Sequence, residues 1–277
     1  QVHVISGCLE NAVDLERAIN EHEIDTVFHL GAQAIVNQAL RSPLPTFESN
    51  IRGTYHVLEA CRRMSSLVKR VVIASSDKAY GDNPNLPYLE TMPLQGKHPY
   101  DVSKSCTDLL SQCYAHTYEL PVVIARCGNI YGGGDFNWDR IVPGTIRSFY
   151  LKQKPVIRSD GKFIRDYIYV QDVVQAYLFL AEKLESHTLQ GEAFNFSLES
   201  EVTVLEMVEL IAELMDCVHL SPQILNQAKS EIRDQTLSSE KAKQALGWSA
   251  QYTLEQGLRE TIQWYENFFA EKQQALR

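Results

Sequence analysis

Two short runs carry residue types suited to chemistry: Ser75-Ser76-Asp77-Lys78 and Tyr100-Asp101-Val102-Ser103-Lys104. The second has the form Tyr-x-x-x-Lys. On a helix, side chains four positions apart share a face, which sets Lys104 beside the phenol of Tyr100. An ammonium next to a phenol favours the phenolate and lowers a pKa that starts at about 10. Such a tyrosine acts as a base near neutral pH. Tyr-x-x-x-Lys alone is a common pattern. Placed after an apolar strand, Arg70 to Ala74, that ends in Ser-Ser-Asp-Lys, it becomes a strong signal.

The elements that must position these runs alternate between strand and helix. Val2 to Ile5 reads as a short strand, Val13 to Ile19 as a helix, and Thr26 to Leu30 as a buried strand. A helix spans Thr46 to Met64, followed by the strand Arg70 to Ala74 and a Pro- and Asn-rich loop from Gly81 to Pro99. The helix Tyr100 to Tyr118 and the strand Pro121 to Arg126 complete the pattern. Alternation of this kind predicts a parallel sheet covered on both faces, with ligands beyond the carboxyl ends of its strands. Ala74/Ser75 and Arg126/Cys127 fall at those ends.

Past Gly128 the pattern loosens, which predicts a smaller lobe with its boundary between Gly128 and Asp139. Ile141 to Lys152 is read as helical, Phe163 to Val170 as extended and Asp172 to Leu184 as a helix. Thr203 and Glu206 are spaced as a capping box opening the helix Thr203 to Met215. A last helix runs from Thr253 to Lys272.

Composition narrows the function classes. Hydrophobic residues make up 44% and charged residues 22%, which fits a globular chain rather than a disordered one. A net charge of -9 argues against a nucleic-acid partner, which calls for a basic face. It leaves room for an anionic small molecule, since a few placed arginines suffice there. The six cysteines form no Cys-x-x-Cys pair, so reduced thiols in a cytoplasmic protein are expected, not disulfides. The eight histidines form no His-Glu-x-x-His, and no metal site is expected. No apolar run approaches the ~18 residues of a membrane span, and no secretory signal is read.

With these motifs in place, the chain resembles the extended short-chain dehydrogenase/reductases, in their NAD-dependent epimerase/dehydratase branch. The resemblance covers nearly the whole sequence, from Gly7 to Leu258. Its flavour is similar to CDP-glucose 4,6-dehydratases: Lys78 follows Asp77 where most 4,6-dehydratases have Asp-Glu. The run Gly128 to Pro143 (Gly-Asn-Ile-Tyr-Gly-Gly-Gly-Asp-Phe-Asn-Trp-Asp-Arg-Ile-Val-Pro) and Glu231-Ile232-Arg233-Asp234-Gln235 point the same way. Ile164 to Val170 instead resembles the general epimerase/dehydratase pattern.

The resemblance implies a Rossmann-like, doubly wound α/β sheet. Residues 1–128, with a return around 165–185, would form a partial NAD-binding domain, and 129–277 mainly a nucleotide-sugar-binding lobe. It implies Tyr100 as the base at the sugar 4-hydroxyl, Lys104 as its partner and Ser76 on the 4-oxygen. Asp77 is implied as the acid at the 6-hydroxyl and Lys78 as an aid at C5. NAD contacts are implied at Leu30, Gly31, Ala32, Gln33, Asn50, Ala74, Tyr100 and Lys104. Substrate contacts are implied at Asn129, Arg140, Arg165 and Arg233. A phosphate cradle at glycines 132 to 134 and a homodimer through the Tyr100 helix are further expectations, and Trp248 is expected in the core.

The family's Gly-x-x-Gly-x-x-Gly fingerprint, with its acidic ribose-binding residue, is absent from the sequence. Gly7-Cys8-Leu9 stands where the family has Gly-Asp-Ile or Gly-Asp-Leu. The chain is therefore expected to be a fragment of a longer protein, poor at binding NAD by itself, with Val2 to Ile5 lacking its neighbour. A sugar-nucleotide 4-epimerase or ketoreductase, and a non-catalytic sugar-nucleotide-binding remnant, remain open as alternatives.

Overall fold

The computed structural model describes residues 2–184, 189–227 and 231–275. In chain order the first elements are α1 (Ala12–Glu21), β1 (Thr26–His29), α2 (Val36–Arg41), α3 (Pro43–Phe47), a π turn (Glu48–Arg52) and α4 (Gly53–Arg63). Then come β2 (Arg70–Ala74), a 3-10 turn (Asp77–Tyr80), α5 (Pro99–Tyr118) and β3 (Val122–Cys127). The later elements are β4 (Asn129–Tyr131), α6 (Ile141–Tyr150), β5 (Val156–Ile157), β6 (Ile164–Arg165), β7 (Tyr167–Tyr169) and α7 (Val170–Lys183). β8 (Ala193–Phe196), β9 (Val202–Thr203), α8 (Val204–Leu214), β10 (Gln223–Ile224), α9 (Glu240–Leu246) and α10 (Leu254–Ala275) finish the chain.

The chain forms two compact units. The first comprises Gln1–Cys127, Gln175–Phe196 and Ser239–Trp248; the second comprises Gly128–Val174, Ser197–Ser238 and Ser249–Arg277.

The first unit is a parallel sheet in the order β1-β2-β3-β8. Its register pairs His29 with Ile73, Ala74 with Ala125 and Cys127 with Phe196, so the carboxyl ends of all four strands come level. Every residue of β3 and β8 is buried, as a strand covered on both faces requires. One face packs on α4 and α5 through Leu58, Cys61, Ile73, Ala115 and Leu120. Each fully buried Leu or Ile of such a core contributes about 1.5–3 kcal/mol. Trp248 is buried and meets Phe196 edge-on at 4.9 Å, the core role expected of it.

Two expected elements differ. Val2 to Ile5 forms no strand, and Val2 and Val4 are 89% and 92% exposed. An isolated extended segment is a strand only once a neighbour takes its ladder bonds, and none of the described strands lies beside it. The helix expected over Thr46 to Met64 runs without interruption from Pro43 to Arg63 but takes a π turn at Glu48–Arg52 between α3 and α4. There the Asn50 carbonyl accepts hydrogen bonds from the Thr54 (2.5 Å) and Thr107 (3.2 Å) hydroxyls, a competition that loosens the local ladder.

The second unit holds three two-stranded pairs: β4 with β7, β5 with β10, and β6 with β9. Their core gathers Ile146, Phe149, Met207, Ile211, Leu258 and Tyr265. The segment expected to be extended from Phe163 splits into β6 and β7, and Val170 already opens α7. α8 starts with the expected capping box: Thr203 and Glu206 satisfy each other's backbone N–H groups. Among the described residues no helix is long and apolar enough to cross a membrane.

Candidate active site

The run after β2 folds as the sheet dictates. The Ser75 N–H continues the ladder to Ala125 O (2.8 Å), after which Ser76 caps the 3-10 turn by accepting from the Lys78 N–H (3.2 Å). The Ser76 hydroxyl donates to Asp77 Oδ1 at 2.8 Å. Asp77 is buried, and Ser76 and Lys78 are half-buried. Gly81 closes the turn at φ 70°, where a Cβ would lie 2.1 Å from Gln95 O. Only glycine fits there.

α5 opens on Pro99 and presents Tyr100 and Lys104 one turn apart. The Lys104 ammonium is buried and donates to Ala74 O at 2.7 Å, which ties the helix to the end of β2. Burial brings its pKa down to about 8, against the opposing influence of Asp108 and Cys127. Sequence reasoning passed over Asp101. Burial raises its carboxyl pKa, the Lys78 ammonium and His98 oppose that rise, and Asp77 reinforces it. Asp101 therefore feels the charges of both Asp77 and Lys78.

The residues after β1 are held from behind by Asn50, which is 1% exposed on the π turn. Its amide donates to Gln33 O (3.0 Å) and Ser103 Oγ (2.9 Å), and its Oδ1 accepts the Gln33 N–H (2.7 Å). Thr46 in turn donates to Gln33 Oε1 at 3.0 Å. The Asn50 side-chain amide thus takes up both backbone polar groups of Gln33 and fixes the path of the chain there. Leu30 and Gly31 are exposed, and Ala32 and Ala74 half-exposed. A Cβ on Gly31 would come 2.7 Å from Leu9 Cδ1, so Leu9 packs directly on that glycine. Below them His29 Nε2 meets Thr54 Oγ1 at 3.1 Å. Burial, then the Lys104 charge, lowers the His29 pKa to about 4, so it is neutral at pH 7.

Further residues became visible only in three dimensions. Arg126, Asp108, Tyr80 and Asn195 form a buried polar cluster behind the 3-10 turn. Arg126 did carry a signal: a guanidinium inside the apolar run Val122 to Cys127 must find a partner. Tyr177, fully buried on α7, hydrogen-bonds Cys127 and senses Tyr100.

In the second unit, Asn129 donates to Asp166 O at 3.3 Å. Arg165 is 7% exposed and engages Ile164 O (2.9 Å), Arg233 O (2.7 Å) and Glu231 (3.5 Å). Arg140 reaches Asp135 (3.0 Å) and Ile130 O (2.8 Å) and is exposed. Arg233 is the most open of the three, with Asp234 at 3.9 Å. Glycines 132 and 133 serve packing: a Cβ would meet Val170 Cγ1 at 2.4 Å or the Trp264 ring at 2.3 Å. Gly134, at φ 88°, has open space.

A sequence profile described as GDP-mannose 4,6 dehydratase matches residues 1–261. dTDP-glucose 4,6-dehydratase 1 of Escherichia coli (strain K12) is 29% identical over 279 residues, covering 92% of this chain and 76% of that protein. UDP-glucose 4-epimerase of Thermotoga maritima, solved with UDP-glucose, superposes with a TM-score of 0.89 at 29% identity over 96% of this chain and 84% of that one. dTDP-glucose 4,6-dehydratase of Bacillus anthracis, solved with NAD, gives a TM-score of 0.84 at 28% identity, covering 95% and 79%.

Proposed function

The chain belongs to the GDP-mannose 4,6 dehydratase family, and from that premise we propose that it is an NAD-dependent 4,6-dehydratase of a nucleoside-diphosphate glucose. One observation carries the reading. Ser76, Asp77 and Lys78 follow a strand whose last carbonyl, Ala74 O, anchors Lys104, one turn from Tyr100. A base for an alcohol and a separate acid–base pair therefore stem from one strand end.

The residues present fit the nicotinamide-ribose end of NAD. An ammonium carries three donors, and Ala74 O is the acceptor the buried Lys104 reaches among the described residues. Its remaining N–H groups suit a ribose diol, and Leu30 to Gln33 with Ala74 line the same strand ends. Held there, NAD would supply the hydride acceptor for sugar C4 and the hydride donor for C6. Tyr100 removes the 4-hydroxyl proton, and the Ser76 hydroxyl turns from Asp77 Oδ1 to donate its one hydrogen bond to the 4-oxygen. The resulting ketone acidifies C5–H, and Lys78, once its ammonium has given up a proton to become the free amine, takes the C5 proton. Asp77 protonates the 6-hydroxyl, which leaves as water, and C5 regains a proton from the medium. The net change is loss of one water. We assign Arg165 and Arg233 to the diphosphate, because a guanidinium matches phosphate geometry; Arg165 would have to exchange its bonds to Ile164 O, Arg233 O and Glu231 for it.

The test supplies CDP-glucose, dTDP-glucose and other NDP-hexoses with NAD in deuterium oxide. A 4-keto-6-deoxy product with deuterium at C5 is expected; absence of both turnover and binding with every NDP-hexose sinks the proposal. The fold match to the Thermotoga maritima epimerase favours 4-epimerisation as the second reading, and C4 inversion without loss of water would establish it. The Asp77-Lys78 pair favours dehydration, since inversion at C4 asks nothing of C5 or C6.

Six free thiols suit a reducing, cytoplasmic setting. Leu109 and Tyr118, 56% and 52% exposed on α5, suit a homodimer through that helix. Sedimentation of a monomer at micromolar concentration would exclude the dimer.

A further inference from the structure

We infer that Arg126 is a positioning residue, whose guanidinium sets the turn bearing Asp77 and Lys78 against the helix bearing Tyr100 and Lys104. The inference rests on the dehydratase reading above for its consequence, though not for its geometry.

Arg126 makes a two-pronged ion pair with Asp108: Nε to Oδ2 at 2.8 Å and Nη2 to Oδ1 at 2.7 Å. Asp108 lies one helical turn beyond Lys104 and two beyond Tyr100, so the pair fixes α5 to β3. A third N–H reaches the Tyr80 oxygen at 2.7 Å, with the guanidinium 4.9 Å from the centre of that ring. Tyr80 is the last residue of the 3-10 turn. Its hydroxyl donates to Asn195 Oδ1 (2.7 Å), and Asn195 donates to Tyr88 O (2.9 Å). Tyr88 then closes the ring by donating to Gly81 O at 2.8 Å, just past the turn. Arg126 is 2% exposed, and Asp108, Tyr80, Asn195 and Tyr88 are 0%.

A buried ion pair adds little net stability over an apolar core of the same volume. What a planar, five-donor guanidinium adds is direction. Here one group holds a strand, a helix and a turn in fixed relation. The two ends of the turn are held differently. Ser76 follows the ladder bond of Ser75 to Ala125 O, so it stays with the sheet. Asp77 and Lys78 lie beyond that bond, in a stretch held by the Ser76 cap, by Ser105 Oγ and Gln95 N–H on Ala79 O (2.9 and 3.1 Å), and at its far end by Tyr80. Loosening the cluster should therefore spare oxidation at C4, served by Tyr100, Lys104 and Ser76, and impair elimination across C5 and C6.

Tyr80→Phe tests this, because it removes one oxygen and keeps the ring beneath the guanidinium. With the holoenzyme and the accepted NDP-glucose, kcat for the 4-keto-6-deoxy product should fall about 100-fold, the loss expected of a misplaced catalytic group. KM and the single-turnover rate of nicotinamide reduction should stay at wild-type values. Arg126→Lys, which keeps the charge and loses the fork, should show the same split. Wild-type elimination in Tyr80→Phe, or equal loss of both steps in folded protein, overturns the inference. Amide exchange reads the geometry without turnover. The Ala79 and Gly81 amides, bonded to Ser76 O and Lys78 O at 3.1 Å each, should exchange about tenfold faster in Tyr80→Phe, with α5 unchanged. Unaltered protection of those amides also overturns it. Faster exchange in a protein that turns over no NDP-hexose would count against the dehydratase reading and leave the frame standing.

Discussion

The two units hold their candidate residues in opposite ways. In the first, Lys104, Asp77 and Asn50 are buried and bonded to backbone or to a serine hydroxyl. In the second, Arg140 and Arg233 stand in solvent beside carboxylates of their own chain, and Arg165 alone is buried. Buried groups bonded to their surroundings cannot re-aim without breaking hydrogen bonds, which suits the sugar contacts proposed for Asp77 and its neighbours. Exposed arginines can swing onto a phosphate at little cost, since surface ion pairs are worth about 0–1 kcal/mol. The contrast is one of rigid chemistry and adaptable binding.

The comparison can be broken most forcefully at Tyr100. Tyr100→Phe should cut kcat by about 1,000-fold, within the range for a general base, with an unchanged melting curve; retained activity would remove the base from Tyr100. Next is Arg126→Leu, which strands the Asp108 carboxylate in the core and should cost about 3–5 kcal/mol in urea unfolding. A loss below about 1 kcal/mol would mean that the first unit is less rigidly bonded than its geometry implies.

His29 supplies a pH test. Its folded pKa, about 4, lies below the unfolded value of 6.5, so the unfolded chain binds the extra proton in between. Its contribution is complete above pH 6.5 and is lost as pH falls toward 4, amounting to about 3 kcal/mol. His29→Gln should flatten the stability–pH curve in that window alone; an unchanged slope would show that His29 is not buried neutral. In the second unit, Thr203→Ala removes half of a capping box and should cost about 1 kcal/mol. Smallest in stability is Arg233→Ala, within about 0.5 kcal/mol, while KM for the nucleotide sugar rises about tenfold at constant kcat. A fall in kcat instead would place Arg233 with the chemistry rather than with binding.

What could be read from the sequence follows the range of the interactions. β2, β3, α5 and the Thr203 cap rest on local periodicity and spacing, and each formed where the pattern put it to within a residue or two. The features that escaped depend on distant partners. Val2 to Ile5 has strand composition but no strand to pair with among the described residues. The π turn at Asn50 meets hydroxyls on α4 and α5, and Thr107 lies far along the chain. Arg126 and His29 sit inside apolar runs, which announces buried polar groups, yet nothing local says that Asp108 or Thr54 will answer them. At Gly132 and Gly133 the need for glycine likewise comes from distant partners, since Val170 and Trp264 fill the space a side chain would take.

The π turn at Glu48–Arg52 amounts to one residue more than a regular helix needs. Each residue turns an α-helix by about 100°, so deleting one from this turn would make α3 and α4 a single regular helix. Helicity would rise, and the segment before the deletion would rotate by more than a quarter turn against the segment after it. The side chain at position 50 could no longer face both Gln33 and Ser103. A shortened relative could therefore show a better-formed helix and a worse-formed site, and an alignment that closes this gap to improve helical periodicity would erase the residue that matters.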